Sequence, residues 1–268
     1  MKTTGFIKRF IIGVTSAVMT GTMLASCGSK VENTVHSIDD LKGKTIGVQI
    51  GTTGDTLAGD VEEAKVEKYN KYADAVQALK QGKLDAVIID SDTANVFTGK
   101  NDDITLLSEG FADEEYAIAM NLDNAELQTL INGALSELKG DGTLQKIKEY
   151  YDGDKSESSD AKPYTRNDSA DRSRGTLVMA TNAEFPPYEY REGDQIVGFD
   201  VDMMNAVCDK LGYELKIDDM QFDSIIAAVQ SGKADVGVAG MSVTPEREQN
   251  VKFSDSYTVT HLVVMVRK

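Results

Sequence analysis

The chain has 268 residues, 41% of them apolar and 27% charged, with 23 glycines and no tryptophan. This is the composition of a folded protein long enough for two lobes, and it excludes a chain disordered throughout. The formal net charge of -16, from 44 acidic against 28 basic residues, repels polyanions and argues against nucleic acid as a partner.

Lys2, Lys8 and Arg9 precede an apolar run from Phe10 to Leu24 that is interrupted by Gly13, Ser16, Gly21 and several threonines. The run is too short and too polar to span a bilayer comfortably and reads as a leader. It ends in Leu24-Ala25-Ser26-Cys27, which resembles the lipobox of bacterial lipoproteins. That resemblance implies removal of residues 1–26 as a signal peptide, lipidation of Cys27, and a tether over 27–36. An ordinary signal peptide followed by an incidental cysteine is the plainer alternative. With Cys27 acylated, Cys208 has no partner for a disulfide and reads as a small core residue of a helix.

Strand and helix signals then alternate. Residues 44–50 read as a buried strand, 71–81 as a helix, and 84–90 and 104–108 as strands, a pattern that argues for βαβ units and a mainly parallel sheet. Residues 116–120 form a further short strand. Leu127, Leu130, Ile131, Leu135 and Leu138 recur at helical spacing, with a stop at Gly140 and a second short helix over 142–151. Residues 152–174 contain no Val, Ile, Leu, Met or Phe and read as a solvated linker. Beyond it come strand 176–181, helix 200–211, strand 214–217, helix 222–231, strand 234–239 and a closing apolar strand 257–266.

Two stretches repeat one another: ALKQGKLDAVIID from Ala78 to Asp90 and AVQSGKADVGVAG from Ala228 to Gly240. Each reads as a helix end, a Gly-Lys turn, an Asp and a buried strand, with the glycine supplying the left-handed conformation that stops the helix. The alignment sets Asp90 and Gly240 at equivalent strand ends. Open α/β sheets bind ligands beyond the carboxyl ends of their strands, so two such lobes facing each other would hold these residues across one cleft.

The segments ATNAEFPPYEY (180–190), GFDVDM (198–203), FDSIIAAVQSGKADVGVAG (222–240), MSVTPERE (241–248) and SIDDLKGKTIGVQIGTTGD (37–55) make the chain resemble the amino-acid-binding branch of the bacterial periplasmic-type solute-binding proteins of ABC importers. The resemblance covers almost everything after residue 37 except the linker. It implies a two-lobed α/β fold of periplasmic-binding-protein type II, each lobe a mainly parallel sheet flanked by helices, the lobes joined by a hinge. Lobe 2 would span 37–115, a hinge strand and helices packing on lobe 1 would span 116–151, the flexible linker 152–174, and lobe 1 175–268, ending in the second hinge strand. In the family lobe 1 comes first. The chain therefore reads as a circular permutant whose linker joins the usual C-terminus to the usual mature N-terminus. A rearranged gene product, or halves exchanged between two chains, are the alternatives. On this reading the second crossover is cut, which leaves one covalent connection at the hinge and predicts easier opening.

Burying a zwitterionic amino acid requires a fixed cation for its carboxylate and a fixed anion for its ammonium. By resemblance Arg247 is the guanidinium fork for the carboxylate, assisted by Ser242, with Met241 beside it. Asp90 is the counter-ion for the ammonium, aided by the carbonyl of Gly240. As plainer readings, Arg247 is a surface residue of the helix that Pro245 starts, and Asp90 caps the helix after it. Thr52 and Thr53 lie in a Gly-rich turn at a helix N-terminus suited to the carboxylate. That turn lacks the Lys-Ser/Thr ending of a phosphate-binding loop, which argues against a nucleotide. Phe185 and Phe222 are either a clamp for the ligand side chain or core, and Tyr188 is a weaker candidate of the same kind. Asn182 and Gln49 read the side chain. Two neutral amides favour a glutamine-like ligand, while Glu184 and the acidic surface leave a cationic amino acid open.

The implied function is capture of a free amino acid by a monomer, held to the membrane at Cys27, that delivers it to ABC permease subunits without cofactor or metal. The competing classes are an arogenate-dehydratase-like enzyme on the same fold and a sensing module without transport. An enzyme needs a positioned acid, for which Glu184 is the sole nominee. His36 and His261 are the only histidines, and no Ser-His-Asp set or metal-ligand cluster stands out.

Overall fold

The computed structural model describes residues 31–152 and 163–268. The signal peptide, the lipobox with Cys27 and residues 153–162 of the linker lie outside the described residues. In chain order the elements are β1 (Thr45–Gln49), α1 (Thr53–Gly59), β2 (Lys65–Tyr69), α2 (Tyr72–Lys80), β3 (Ala86–Asp90), α3 (Ser91–Lys100), β4 (Ile104–Tyr116), β5 (Ala119–Met120), α4 (Ala125–Gly140) and α5 (Thr143–Asp152). After the linker come β6 (Thr176–Thr181), β7 (Glu184–Phe185), β8 (Glu189–Glu192), β9 (Gln195–Val197), α6 (Phe199–Leu211), β10 (Glu214–Asp219), α7 (Ile225–Gln230), β11 (Val236–Gly237), α8 (Pro245–Glu248), β12 (Lys252–Phe253) and β13 (Thr258–Arg267).

Two five-stranded sheets organise these elements, in the orders β2-β1-β3-β13-β4 and β10-β6-β11-β5-β12, with β7-β8-β9 as a small third sheet. The first three strands of each large sheet are parallel. The fourth place is taken by an antiparallel strand, β13 in lobe 2 and β5 in lobe 1. Each of these inserted strands arrives from the other lobe, so the two sheets share one scheme. Alternate residues of β3 enter different cores, Ile88 one and Val87 and Ile89 the other. Burial on both faces explains why Ala86–Ile89 is an unbroken apolar run.

The internal repeat is visible in atomic detail. Gly82 and Gly232 take φ of 72° and 71°, and in each turn the following lysine N–H donates to the carbonyl five residues back, Lys83 to Ala78 and Lys233 to Ala228, both at 3.0 Å. Side chains at φ near +70° are strained, so glycine stops both helices. Next, the Asp85 carboxyl accepts the Thr45 N–H at 2.9 Å and the Asp235 carboxyl accepts the Val178 N–H at 2.7 Å. Each aspartate thereby pins the edge of its neighbouring strand.

The hinge differs from the expectation of a single covalent connection. Because β13 pairs within the sheet of lobe 2, the chain crosses between lobes twice, at residues 117–118 and 254–257. The two segments bond to each other: Tyr257 N–H donates to Tyr116 O at 2.9 Å, Ser254 N–H to Ile118 O at 2.9 Å, and Ile118 N–H to Ser254 Oγ at 3.0 Å. β13 therefore ends inside lobe 2. There the Arg267 guanidinium donates to the carbonyls of Val31 at 3.2 Å and Leu79 at 2.9 Å, and to that of Leu84, so the end of β13 lies against residue 31.

Helices α4 and α5 pack on lobe 1, where Gln128 donates to Phe253 O at 2.6 Å and Tyr151 to Asp202 at 2.9 Å. The first helix runs through Gly140, and the left-handed residue is Gly142. Strand 104–108 extends to Tyr116 as an edge paired along β13. Residues 163–174 are held to lobe 1 rather than free: Arg166 makes a bidentate pair with Glu214 at 2.7 Å, and Tyr164 and Arg172 both donate to Asp209. Cys208 is buried, and burial pushes its thiol up to about 12.

Candidate functional site

Lobe 2 brings one set of side chains to the cleft from the carboxyl ends of its strands. Gln49 closes β1, Thr52 caps α1 by accepting the Asp55 N–H at 3.2 Å, and Thr53 begins that helix. Asp90 ends β3. Its Oδ1 accepts N–H groups of Asp92 and Thr93 at 2.9 and 3.0 Å, so it does cap α3. Its Oδ2 points into the cleft and accepts hydroxyls of Thr260 at 2.6 Å and Tyr116 at 3.0 Å. Asp90 is 1% exposed, and burial raises its carboxyl to about 6 against the help of these donors.

Lobe 1 supplies the cation. Arg247 sits in the first turn of α8, its N–H capped by the Thr244 hydroxyl. The guanidinium is 9% exposed, donates to Ser242 O at 2.7 Å and to Gly51 O of lobe 2 at 3.0 Å, and lies 5.4 Å from the centre of the Phe222 ring. It is a buried cleft residue, not a surface arginine. Gly240 has φ of 51°, and a Cβ there would meet Phe185 Cε1 at 2.7 Å, so the backbone approaches the aromatic wall as only glycine permits. Its N–H donates to Asp200 at 2.9 Å. Asp200, raised to about 6 by burial, also accepts the Tyr257 hydroxyl at 3.0 Å.

The lobes touch directly across the cleft. Gln49 Nε2 donates to Asn182 Oδ1 at 2.8 Å, and Asn182 Nδ2 donates to Met220 O at 2.9 Å. At the rim Lys71 pairs with Glu184 at 2.5 Å, and the Tyr188 hydroxyl donates to Asp92 at 2.6 Å. Gln49, Thr52, Thr53, Asp90, Asn182, Phe185, Phe222, Gly240, Ser242 and Arg247 all line one cavity of about 20 Å³. Met241 does not. Its side chain is in the core of lobe 1 with Phe253 and Val251, and its carbonyl accepts the Ala117 N–H. Alternation along the chain turns it away from the face that Gly240 and Ser242 present.

Five lining residues were not singled out from sequence: Tyr72, Glu114, Tyr116, Ala239 and Leu262. Glu114 rather than Glu184 is the glutamate inside the cleft. It is 6% exposed, and its carboxyl accepts the hydroxyls of Thr53 and of Ser242 at 2.5 Å, while the single hydrogen of the Tyr116 hydroxyl, 3.2 Å away, is shared between it and Asp90. The usable signal was strand alternation: with β4 extended to Tyr116, residues 114 and 116 share one face. No group of three or more His, Cys, Asp or Glu residues among the described residues has metal-site geometry.

Residues 177–268 match the model of the bacterial extracellular solute-binding proteins, family 3. That segment carries the sequence pattern of the family. The chain is 44% identical over 99 residues to the arginine-binding extracellular protein ArtP of Bacillus subtilis, covering 37% of this chain and 39% of ArtP. It is 34% identical over 124 residues to the L-cystine-binding protein TcyJ of Escherichia coli K12, covering 46% and 47%. Of solved structures, the arginine-bound domain 1 of TmArgBP is 41% identical, covering 36% of this chain and 82% of that one, with a TM-score of 0.31. The chain thus spans less than half the length of these two curated relatives. The expected type II architecture of two sheet-and-helix lobes is present, and no helix among the described residues is long and apolar enough to cross a membrane.

Proposed function

We propose that this protein is an extracytoplasmic, lipid-anchored receptor that binds a polar amino acid between its lobes and delivers it to an ABC permease. The observation that carries the reading is the convergence of a buried guanidinium from one lobe and a buried carboxyl from the other, Arg247 and Asp90, on one cavity. A free amino acid carries the complementary pair of charges. Arg247 and Ser242 would take its carboxylate, and Asp90 with the Gly240 carbonyl its ammonium. Phe185 and Phe222 would flank the side chain, whose polar end would separate the Gln49–Asn182 pair. Both amides donate and accept, which suits a glutamine-like side chain or a guanidinium. The names of several relatives place arginine first among the ligands to try. The lobes would open about the double crossover and close over the ligand, presenting a surface for the permease.

The chain order supports a circular permutation. Both five-stranded sheets form within one chain although lobe 2 comes first, and residue 31 lies against Arg267. On this reading a match made in the usual order would end with lobe 1 and β13, as the matched segment 177–268 does.

Calorimetry of the leader-free protein against the free amino acids tests the function. One saturable ligand is expected near micromolar Kd, about -8 kcal/mol, without turnover. Arg247→Ala should weaken that binding by about 3–5 kcal/mol, because it leaves the ligand carboxylate buried and unpaired. No heat from any amino acid, or unchanged affinity in the variant, would overturn the reading.

A further inference from the structure

Glu114 stands where the proposed ligand's carboxylate belongs. Its Oε1 accepts both the Thr53 and the Ser242 hydroxyls, the first from the turn suited to that carboxylate and the second assigned to it, and it is the acid whose charge most favours the Arg247 guanidinium. Thr53 is in lobe 2 and Ser242 in lobe 1, so a carboxyl carried by the last residues of β4 joins the lobes. With the side chain in this place the inner cavity is about 20 Å³, room for little more than one water. Outside it lies a groove of about 830 Å³ that shares Thr53, Glu114, Ser242 and Arg247 with the inner cavity, so Glu114 forms the wall between the two. Rotation of its side chain toward that groove would free both hydroxyls.

We propose that Glu114 is an internal competitor for the carboxylate end of the cleft, holding the lobes together through Ser242 and yielding Thr53 and Ser242 to an amino acid's own carboxylate. The inference rests on assigning that end of the cleft to a carboxylate. Two anions cannot share the same two hydroxyls, because each hydroxyl has one hydrogen to donate. Ligand entry therefore requires Glu114 to leave, and the bonds it makes are subtracted from the affinity. The residue acts on closure and affinity without touching the ligand in the closed complex.

The test compares the wild type with Glu114→Gln and Glu114→Ala, each checked for a cooperative melt, by calorimetry with L-arginine, L-glutamine and agmatine, which has arginine's side chain and no carboxylate. Removing the competitor should tighten binding of the amino acid that the wild type takes by roughly tenfold, with no gain for agmatine. Equal or weaker amino-acid binding in both variants would overturn the proposal and make Glu114 a direct partner of the ligand ammonium or a structural residue. Small-angle scattering before any amino acid is added separates this outcome from failure of the amino-acid reading. If none of the three proteins binds either amino acid, a larger radius of gyration in the variants than in the wild type keeps the latch, and an unchanged radius ends it.

Discussion

The two lobes are built on one plan and carry opposite chemistry. Each has a five-stranded sheet with an antiparallel strand inserted at the fourth place, and each has a Gly-Lys-x-Asp turn whose aspartate pins the neighbouring strand. At the end of the repeated strand, however, lobe 2 has Asp90 and lobe 1 has Gly240. Lobe 2 thus presents acids, Asp90 and Glu114, while lobe 1 presents the Arg247 cation and an aromatic wall. The shared plan explains the fold, and the departures from it mark the site.

Among changes at the repeated strand and its turn, the largest effect should come from removing charge at the position where the lobes differ. Asp90→Asn should weaken amino-acid binding by about 2–5 kcal/mol, the cost of leaving a buried ammonium without its partner. Acid should mimic it. Burial raises the Asp90 carboxyl to about 6, and a bound ammonium favours the charged form, so affinity should fall as pH drops below 6, with protons released on binding at pH 5.5. Calorimetry in two buffers of different ionisation enthalpy reads both. Without ligand the sign is reversed: a carboxyl raised by folding adds stability below its unfolded pKa near 4, and that stability is lost as pH rises to 6. Asp200, also raised to about 6, contributes in the same direction, so the free protein should melt higher at pH 4.5 than at pH 7 as far as these two groups are concerned.

A smaller effect tests the likeness itself. Asp85→Asn and Asp235→Asn each weaken one hydrogen bond to a backbone N–H and should cost similar amounts, about 0.5–1 kcal/mol, or roughly 1–4 °C in melting temperature. A clearly larger loss in one lobe would show that the repeat units are alike in shape but not in load.

The smallest effect should follow from rearranging the chain so that residues 163–268 precede 31–152. Both hinge crossings lie within those two blocks or survive the new junction from Lys268 to Val31. Ligand affinity should therefore match that of the original order within twofold by calorimetry. A marked change would show that the order of the blocks does influence closure.

Much of this was legible in sequence. The repeat placed Asp90 and Gly240 together because both sheets use the same turn, and the apolar runs of β3 and β13 marked themselves as buried strands. β2 was missed because Lys65–Tyr69 is a half-exposed edge strand with two lysines and a glutamate, a pattern that resembles a loop. α3 was foreseen only as the helix that Asp90 would cap, without bounds, because Ser91–Lys100 has little apolar periodicity. Glu114 was hidden in an acidic run, where Asp113 and Glu115 face solvent and only the strand's alternation separates them from it. The second crossing was misjudged because which sheet β13 joins is decided by pairing with β3 and β4, information that no local pattern contains.

The two crossing segments are tied to one another by three hydrogen bonds, from Tyr257 to Tyr116 and between Ser254 and Ile118. Paired in this way they form a flat strap, supple across its thin direction and stiff against torsion. A joint of that kind permits folding and unfolding of the lobes about one axis and resists swivelling. In the proposed function each closing stroke would return Arg247 to the same place opposite Asp90, and selectivity would be inherited from the strap as much as from the side chains it brings together.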